Sequence, residues 1–239
     1  MLDVDGALQR SLEDLFWLPP WASVVDRAGC LYTRSPRDQH ALNQVLRVAA
    51  TTADLPAIVA EVDEAHQGVT SRWLLSRDSQ HPALPPLLFR AGWKPEHVHH
   101  VRAIDSDSVV PIFPGVTARP VVDQATLTDC VRVCERAFGT SSGAIAEELS
   151  PERVQDELEM VTGPSARVHR FVAYDEATGR PMASGGLNLF PDLGLGFLWG
   201  GGTDPELRGR GAYRAVLAAR LARAAARGYG SWLRFVEAM

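Results

Sequence analysis

The chain has 239 residues, of which 46% are hydrophobic and 22% charged, and its formal net charge is −5. Those values exclude a disordered, fibrous or membrane-embedded chain and leave room for one large globular domain or two small ones. The acidic balance excludes a nucleic-acid binder that works by neutralising phosphates.

The longest apolar stretch, 212–226, is interrupted by Arg214, Arg220 and Arg223, so no membrane span is expected. Acids at Asp3 and Asp5 stand where a signal peptide carries basic residues, and the expected address is cytoplasmic. Cys30, Cys130 and Cys134 have neither zinc-knuckle nor redox spacing and read as core thiols. Lys94 is the sole lysine, a bias of composition rather than of a site.

In chain order, Leu8 to Phe16 reads as a helix stopped by Pro19 and Pro20, and Ala22 to Val25 with Cys30 to Thr33 as a hairpin. Pro56 opens an amphipathic helix through His66, with Ile58, Val59, Val62 and Ala65 on one side. Arg72 to Leu75 reads as a strand, Ala83 to Arg90 as a helix, and Val98 to Ile104 as a strand. Polar and turn-forming residues from Asp105 to Gly115 mark a linker. The expected domains are therefore 1–107 and 108–239.

After the linker, Val116 to Val122 reads as a strand and Leu127 to Phe138 as a helix closed by Gly139. A second helix starts from Ser150 as N-cap with Pro151 in its first position and runs to about Val161. Strands follow at Val168 to Tyr174, Met182 to Leu189 and Gly196 to Thr203. A loop, 204–211, leads into a helix from Ala212 to Arg227, ended by Gly228, and Trp232 to Val236 is a last strand.

The loop Asp204-Pro205-Glu206-Leu207-Arg208-Gly209-Arg210-Gly211 joins a strand directly to that long helix. Unpaired N–H groups at such a helix start, backed by the helix dipole, hold a phosphate. Gly209 and Gly211 let the backbone approach an anion, while Arg208 and Arg210 add charge-assisted contacts. Taken alone, a Gly-x-Gly is as well explained by a solvated turn. A P-loop needs Lys after its last glycine, and none is near. A dinucleotide fold needs glycine where Arg214 stands.

Residues 205–217 closely resemble the coenzyme A loop of the GNAT superfamily of N-acyltransferases, whose pattern is Gln/Arg-x-x-Gly-x-Gly/Ala. Arg208 matches its first position and Gly211 its fourth, while Tyr213 stands where glycine or alanine is usual. The order strand, two helices, three strands, helix, strand from Val116 to Val236 is also similar to the family's.

The resemblance implies an α/β protein with a central mixed, mostly antiparallel sheet flanked by helices, and acetyl-CoA as acyl donor to a small-molecule amine or peptide acceptor. It leaves room for a homodimer. The family continues past its fifth strand with a helix and further strands, whereas this sequence stops at Met239. Residues 72–104 look like such missing elements, so the first half is expected to be a smaller, degenerate GNAT-like unit. A product truncated before its last elements is the other explanation.

The resemblance further implies that the donor's pantetheine pairs with the backbone around Gly201 and Thr203, and that its phosphates meet Arg208, Gly209, Arg210, Gly211, Ala212 and Tyr213. The acceptor must lose a proton, since only about one amine in a few thousand is neutral at pH 7. Phe197 and Trp199, the inward residues of the third strand, cannot accept it. Glu237 is the nearest acid by topology and is the candidate base; Glu206 reads as a surface residue, and Tyr213 as packing at the helix start. The rival reading is a non-catalytic acyl-CoA-binding or interaction module.

Two other constellations fall short. His97 and His99, with Glu96 and His100 beside them, have a zinc-compatible spacing but no third ligand. Asp78, Ser79 and His81 are triad residue types without a nucleophile elbow.

Overall fold

The structure is a computed structural model describing residues 4–15, 18–19, 21–38, 42–75, 81–96, 99–105, 108–139, 146, 149–163, 165–229 and 231–237, without the side chains of 4, 99–103, 105 and 231–237. Backbone contacts divide the chain into Met1–His99 with Glu237–Met239, and His100–Val236.

The first unit contains α1 (Val4–Glu13), β1 (Ser23–Arg27), β2 (Cys30–Arg34), β3 (Gln44–Val48), α2 (Leu55–Ala65), β4 (Arg72–Trp73) and α3 (Leu84–Arg90). Its sheet runs β1-β2-β3-β4, with the first three strands antiparallel and β4 parallel to β3. Ile58, Val59 and Val62 of α2 recur at helical spacing and close over Cys30, Tyr32, Val45 and Val48. Ala65, on the same side, is only partly buried against that core.

The second unit contains β5 (His99–Asp105), β6 (Val116–Pro120), α4 (Gln124–Phe138), α5 (Pro151–Thr162), β7 (Val168–Asp175), β8 (Pro181–Phe190), β9 (Leu195–Thr203), α6 (Ala212–Ala225) and β10 (Ser231–Glu237). Its sheet order is β5-β10-β9-β8-β7-β6. β6 to β9 pair antiparallel and β10 runs parallel to β9. β5 precedes the expected linker yet lies beside β10.

The helix ends follow their residues. Asp123 accepts from the Thr126 N–H at 2.8 Å in a capping box, and Gly139 ends α4 at φ 72°. Ser150 stands at the N-cap of α5 as expected, but its side chain makes no capping bond.

Phe171, Ala173 and Ala183 pack with Ala212, Ala215 and Val216 of α6. On the opposite sheet face, Tyr174 meets Asp129 and Ser184 meets Cys134, both on α4. Cys130 is buried beneath it, and its hydrogen bond with Cys134 and its burial push the thiol's pKa well up, as suits a core residue.

β7 to β10 of the second unit repeat the wiring of β1 to β4: three antiparallel strands, a helix, and a fourth strand parallel to the third. Their strand-to-helix connections differ chemically. In the first unit 49–54 contains no glycine and no cation, Asp54 stands at the helix N-cap, and Pro56 removes an N–H from the first turn. An anion is not favoured there. The second unit has the glycines and arginines instead.

Candidate functional site: a groove between beta nine and alpha six

Three local features build the site. β9 pairs with β10 only from Leu195 to Leu198, so Trp199 to Thr203 have no register partner on that side among the described residues. Within this free end the β8 register shifts from Gly186↔Trp199 to Ser184↔Gly202. One extra residue on β9 makes a bulge, with Gly200 at φ 56°. Finally, Gly209 and Gly211 adopt φ of 79° and 81°, which turns the chain into α6 with Gly211 as an N-cap bearing no side-chain cap. Gly211 thus offers the first turn of α6 no capping side chain of its own.

A groove of about 330 Å³ lies at this end of the strand, lined by Gly201, Gly202 and Thr203, by Arg208 and Tyr213, and by Ala137 and Phe138 at the end of α4. The structure thus brings together Gly201, Thr203, Arg208 and Tyr213 of the expected set. Gly209 and Gly211 shape the loop. Ala212 turns its methyl into the core and can offer only its backbone. Arg210 is exposed and pairs with Asp175 at 3.5 Å. Tyr213 lies over the strand, where a Cβ on Gly201 would stand 2.6 Å from its ring.

Asp204 anchors the loop. It is 1% exposed, accepts from the Glu206 N–H at 3.1 Å, and pairs with Arg136 at 2.7 Å and Arg180 at 3.2 Å. Burial alone would raise its pKa, but these donors outweigh burial and hold the carboxyl below its ordinary value. Glu206 is on the surface, paired with Arg180.

Sequence reasoning missed Phe113, Phe138 and Arg220. Phe113 sits against Gly211, and the Arg214 guanidinium lies 5.2 Å from its ring centre. Phe138 and Ala137 occupy the place a side chain on Gly202 would need. The triple glycine 200–202 was the available signal, since it marks a strand approached closely by something else.

The Glu237 side chain, the histidines at 97, 99 and 100, and Asp78 and Ser79 all lie outside the described residues or side chains. Among the described residues no cluster of His, Cys, Asp or Glu could hold a metal, and no helix is long and apolar enough to cross a membrane.

No family model and no curated protein matches the sequence. Solved structures do match. A GCN5-related N-acetyltransferase from Kribbella flavida superposes with TM-score 0.64 at 17% identity, covering 98% of this chain and 84% of the other. One from Sphaerobacter thermophilus gives 0.56 at 18%, covering 98% and 82%. The fold is therefore that of the GNAT N-acetyltransferases. More particularly, it is a tandem arrangement: a tandem GNAT protein from the clavulanic acid biosynthesis pathway matches with TM-score 0.59 at 13% identity over 98% of this chain and 86% of its own. The first unit has the smaller sheet and a glycine-free helix entry.

Proposed function

We propose that the chain is an acyl-CoA-dependent N-acyltransferase, moving an acetyl or similar group to an amine, with 108–239 as its catalytic domain. One observation carries this reading: a helix N-terminus with glycine at its N-cap and no side-chain cap stands beside the end of a bulged strand that has no register partner on its β10 side among the described residues. The first feature suits a pyrophosphate and the second suits the amide-bearing arm of a coenzyme.

The residues present fit such a donor. The N–H groups of Gly211, Ala212 and Tyr213 bind phosphate oxygens, and Arg208 adds charge from the groove wall. Gly201 and Thr203 hold the arm by backbone pairing. When bound, the donor would supply a thioester: the C–N bond to the amine forms at the acyl carbon, the C–S bond breaks, and coenzyme A leaves as a thiolate that takes up a proton. A backbone N–H at the end of β9 would stabilise the negative charge on the acyl oxygen, a contact worth roughly 3 to 4 kcal/mol in comparable sites.

Glu237, at the end of β10, is assigned the proton of the acceptor ammonium, which must leave before attack. The groove itself is lined by no acid among the described residues. That lining favours a second reading, an acyl-CoA-binding module without turnover.

Thiol release from acetyl-CoA in the presence of a panel of small amines and peptides separates the two. Amine-dependent release that falls at least about tenfold in Glu237→Gln is expected of the transferase. Calorimetric binding of acetyl-CoA with no release for any amine selects the module.

A further inference from the structure

We propose that Arg220 is a positioning residue for the groove: its buried guanidinium holds the carbonyl of Trp199 and thereby fixes the bulge that opens the end of β9. The inference rests on the reading above only in taking that strand end as the edge that receives the acyl donor.

Arg220 lies in the middle of α6, where Arg214 is exposed and Arg223 half-buried, yet it is itself 1% exposed. Its Nη1 donates to the Gly186 carbonyl at 3.2 Å and to the Trp199 carbonyl at 3.5 Å. Gly186 and Trp199 are register partners, and they are the last pair before the ladder slips by one residue. A bulge interrupts strand-to-strand hydrogen bonding and leaves a part-buried carbonyl in need of another donor. Arg220 supplies that donor from the helix side.

The surroundings are built to admit it. A Cβ on Gly185 would stand 2.8 Å from Nη1, so glycine there leaves the guanidinium the room it occupies. The Tyr213 ring centre lies 5.6 Å from the guanidinium carbon. Tyr213 and Arg220 are seven residues apart, two helical turns, and so share one face of α6. Arg220 grips the bulge where it begins, at Trp199, and Tyr213 covers it where it ends, at Gly201. Placing tyrosine where the family's loop has glycine or alanine is thus coupled to a buried arginine one helix face along.

A leucine or methionine could fill the same volume but could not donate. Removing the donor releases the Trp199 carbonyl, so the Gly200–Gly202 backbone loses its fixed course while the loop 208–211, shaped by its own glycines, stays intact. Transfer should then suffer more than coenzyme binding.

The test compares Arg220→Met and Arg220→Lys with the wild-type chain by hydrogen exchange of the β9 peptide, calorimetric titration with coenzyme A, and steady-state transfer with the best amine of the panel. In Arg220→Met the β9 amides should exchange at least about tenfold faster and kcat should fall by a similar factor. Coenzyme A affinity should change less than about threefold, with binding stoichiometry unchanged, which excludes an unfolded fraction. Arg220→Lys, which keeps a donor and a charge, should recover much of both losses.

Unchanged exchange in Arg220→Met, or a lysine variant no better than methionine, overturns the proposal. Should Arg220→Met fail to fold, Arg220→Gln keeps a neutral donor and the same exchange readout decides. A wild-type chain that neither binds coenzyme A nor transfers an acyl group defeats the transferase reading alone, because the exchange comparison still decides the role of Arg220.

Discussion

Phe113 and Gly211 occupy one position at the mouth of α6: a Cβ built on Gly211 would stand 2.5 Å from the Phe113 ring. Gly211 also needs its left-handed φ of 81°. Two independent constraints thus oppose a side chain at the residue whose N–H begins the proposed anion-binding turn.

Gly211→Ala should therefore lose about 1 to 2 kcal/mol of stability from its backbone alone, and more if Phe113 is pushed aside. Thermal unfolding of Gly211→Ala beside Gly211→Ala/Phe113→Ala separates the two contributions. Gly211→Trp should abolish coenzyme A binding in a folded chain, and unchanged affinity by calorimetry would remove the site from this loop.

Arg208 lines the groove, whereas Arg210 is turned toward Asp175. Arg208→Ala should weaken coenzyme A binding by about tenfold, and Arg210→Ala by no more than about threefold. The loss in Arg208→Ala should shrink as salt is raised, since the contact is a partly exposed charge pair. Titrations at two ionic strengths check both points.

Asp204 ties the loop to α4 through Arg136 and to the start of β8 through Arg180. Asp204→Asn should destabilise the chain by about 2 kcal/mol, less than for a fully buried pair because both arginines reach solvent. The folded-state pKa lies below the ordinary 3.8. The stabilisation is therefore complete above that value and is lost as pH falls through the lower, folded one. Acid unfolding curves of Asp204→Asn should be shallower at the acid end than those of the wild-type chain.

His169 on β7 is buried, and its Nε2 has no hydrogen-bond partner among the described residues. Burial, with the nearby charges of Arg223 and Arg227, lowers its pKa from 6.5 to about 4. The unfolded chain thus binds more protons between those values, and stability should rise with pH across that window by about 1 to 3 kcal/mol. His169→Leu should flatten that part of the stability profile, as denaturant titrations at pH 4.5 and 7 would show.

Much of the second unit was legible in the sequence because its signals are local. Gly139, Gly228 and the Ser150-Pro151 pair mark helix ends, and apolar-rich runs bounded by turn residues mark β7 to β9. β3 escaped notice because it is only five residues long and Gln44 and Arg47 break its apolar run. The loop glycines were legible through the positive φ they permit. Phe113 and Phe138 were not, because they reach the groove from segments distant in sequence. Arg220 was missed for a different reason: in a helix with three arginines, pattern alone gives no hint which one turns inward, since that depends on a bulge in a strand about twenty residues earlier.

The most direct measurement is an amide NMR titration with coenzyme A. The account predicts shifts concentrated at Gly209, Gly211, Ala212 and Tyr213, with a second set at Gly201 and Thr203, all lost in Gly211→Trp. Saturable binding that leaves these six amides unmoved, or no binding at all, would contradict it.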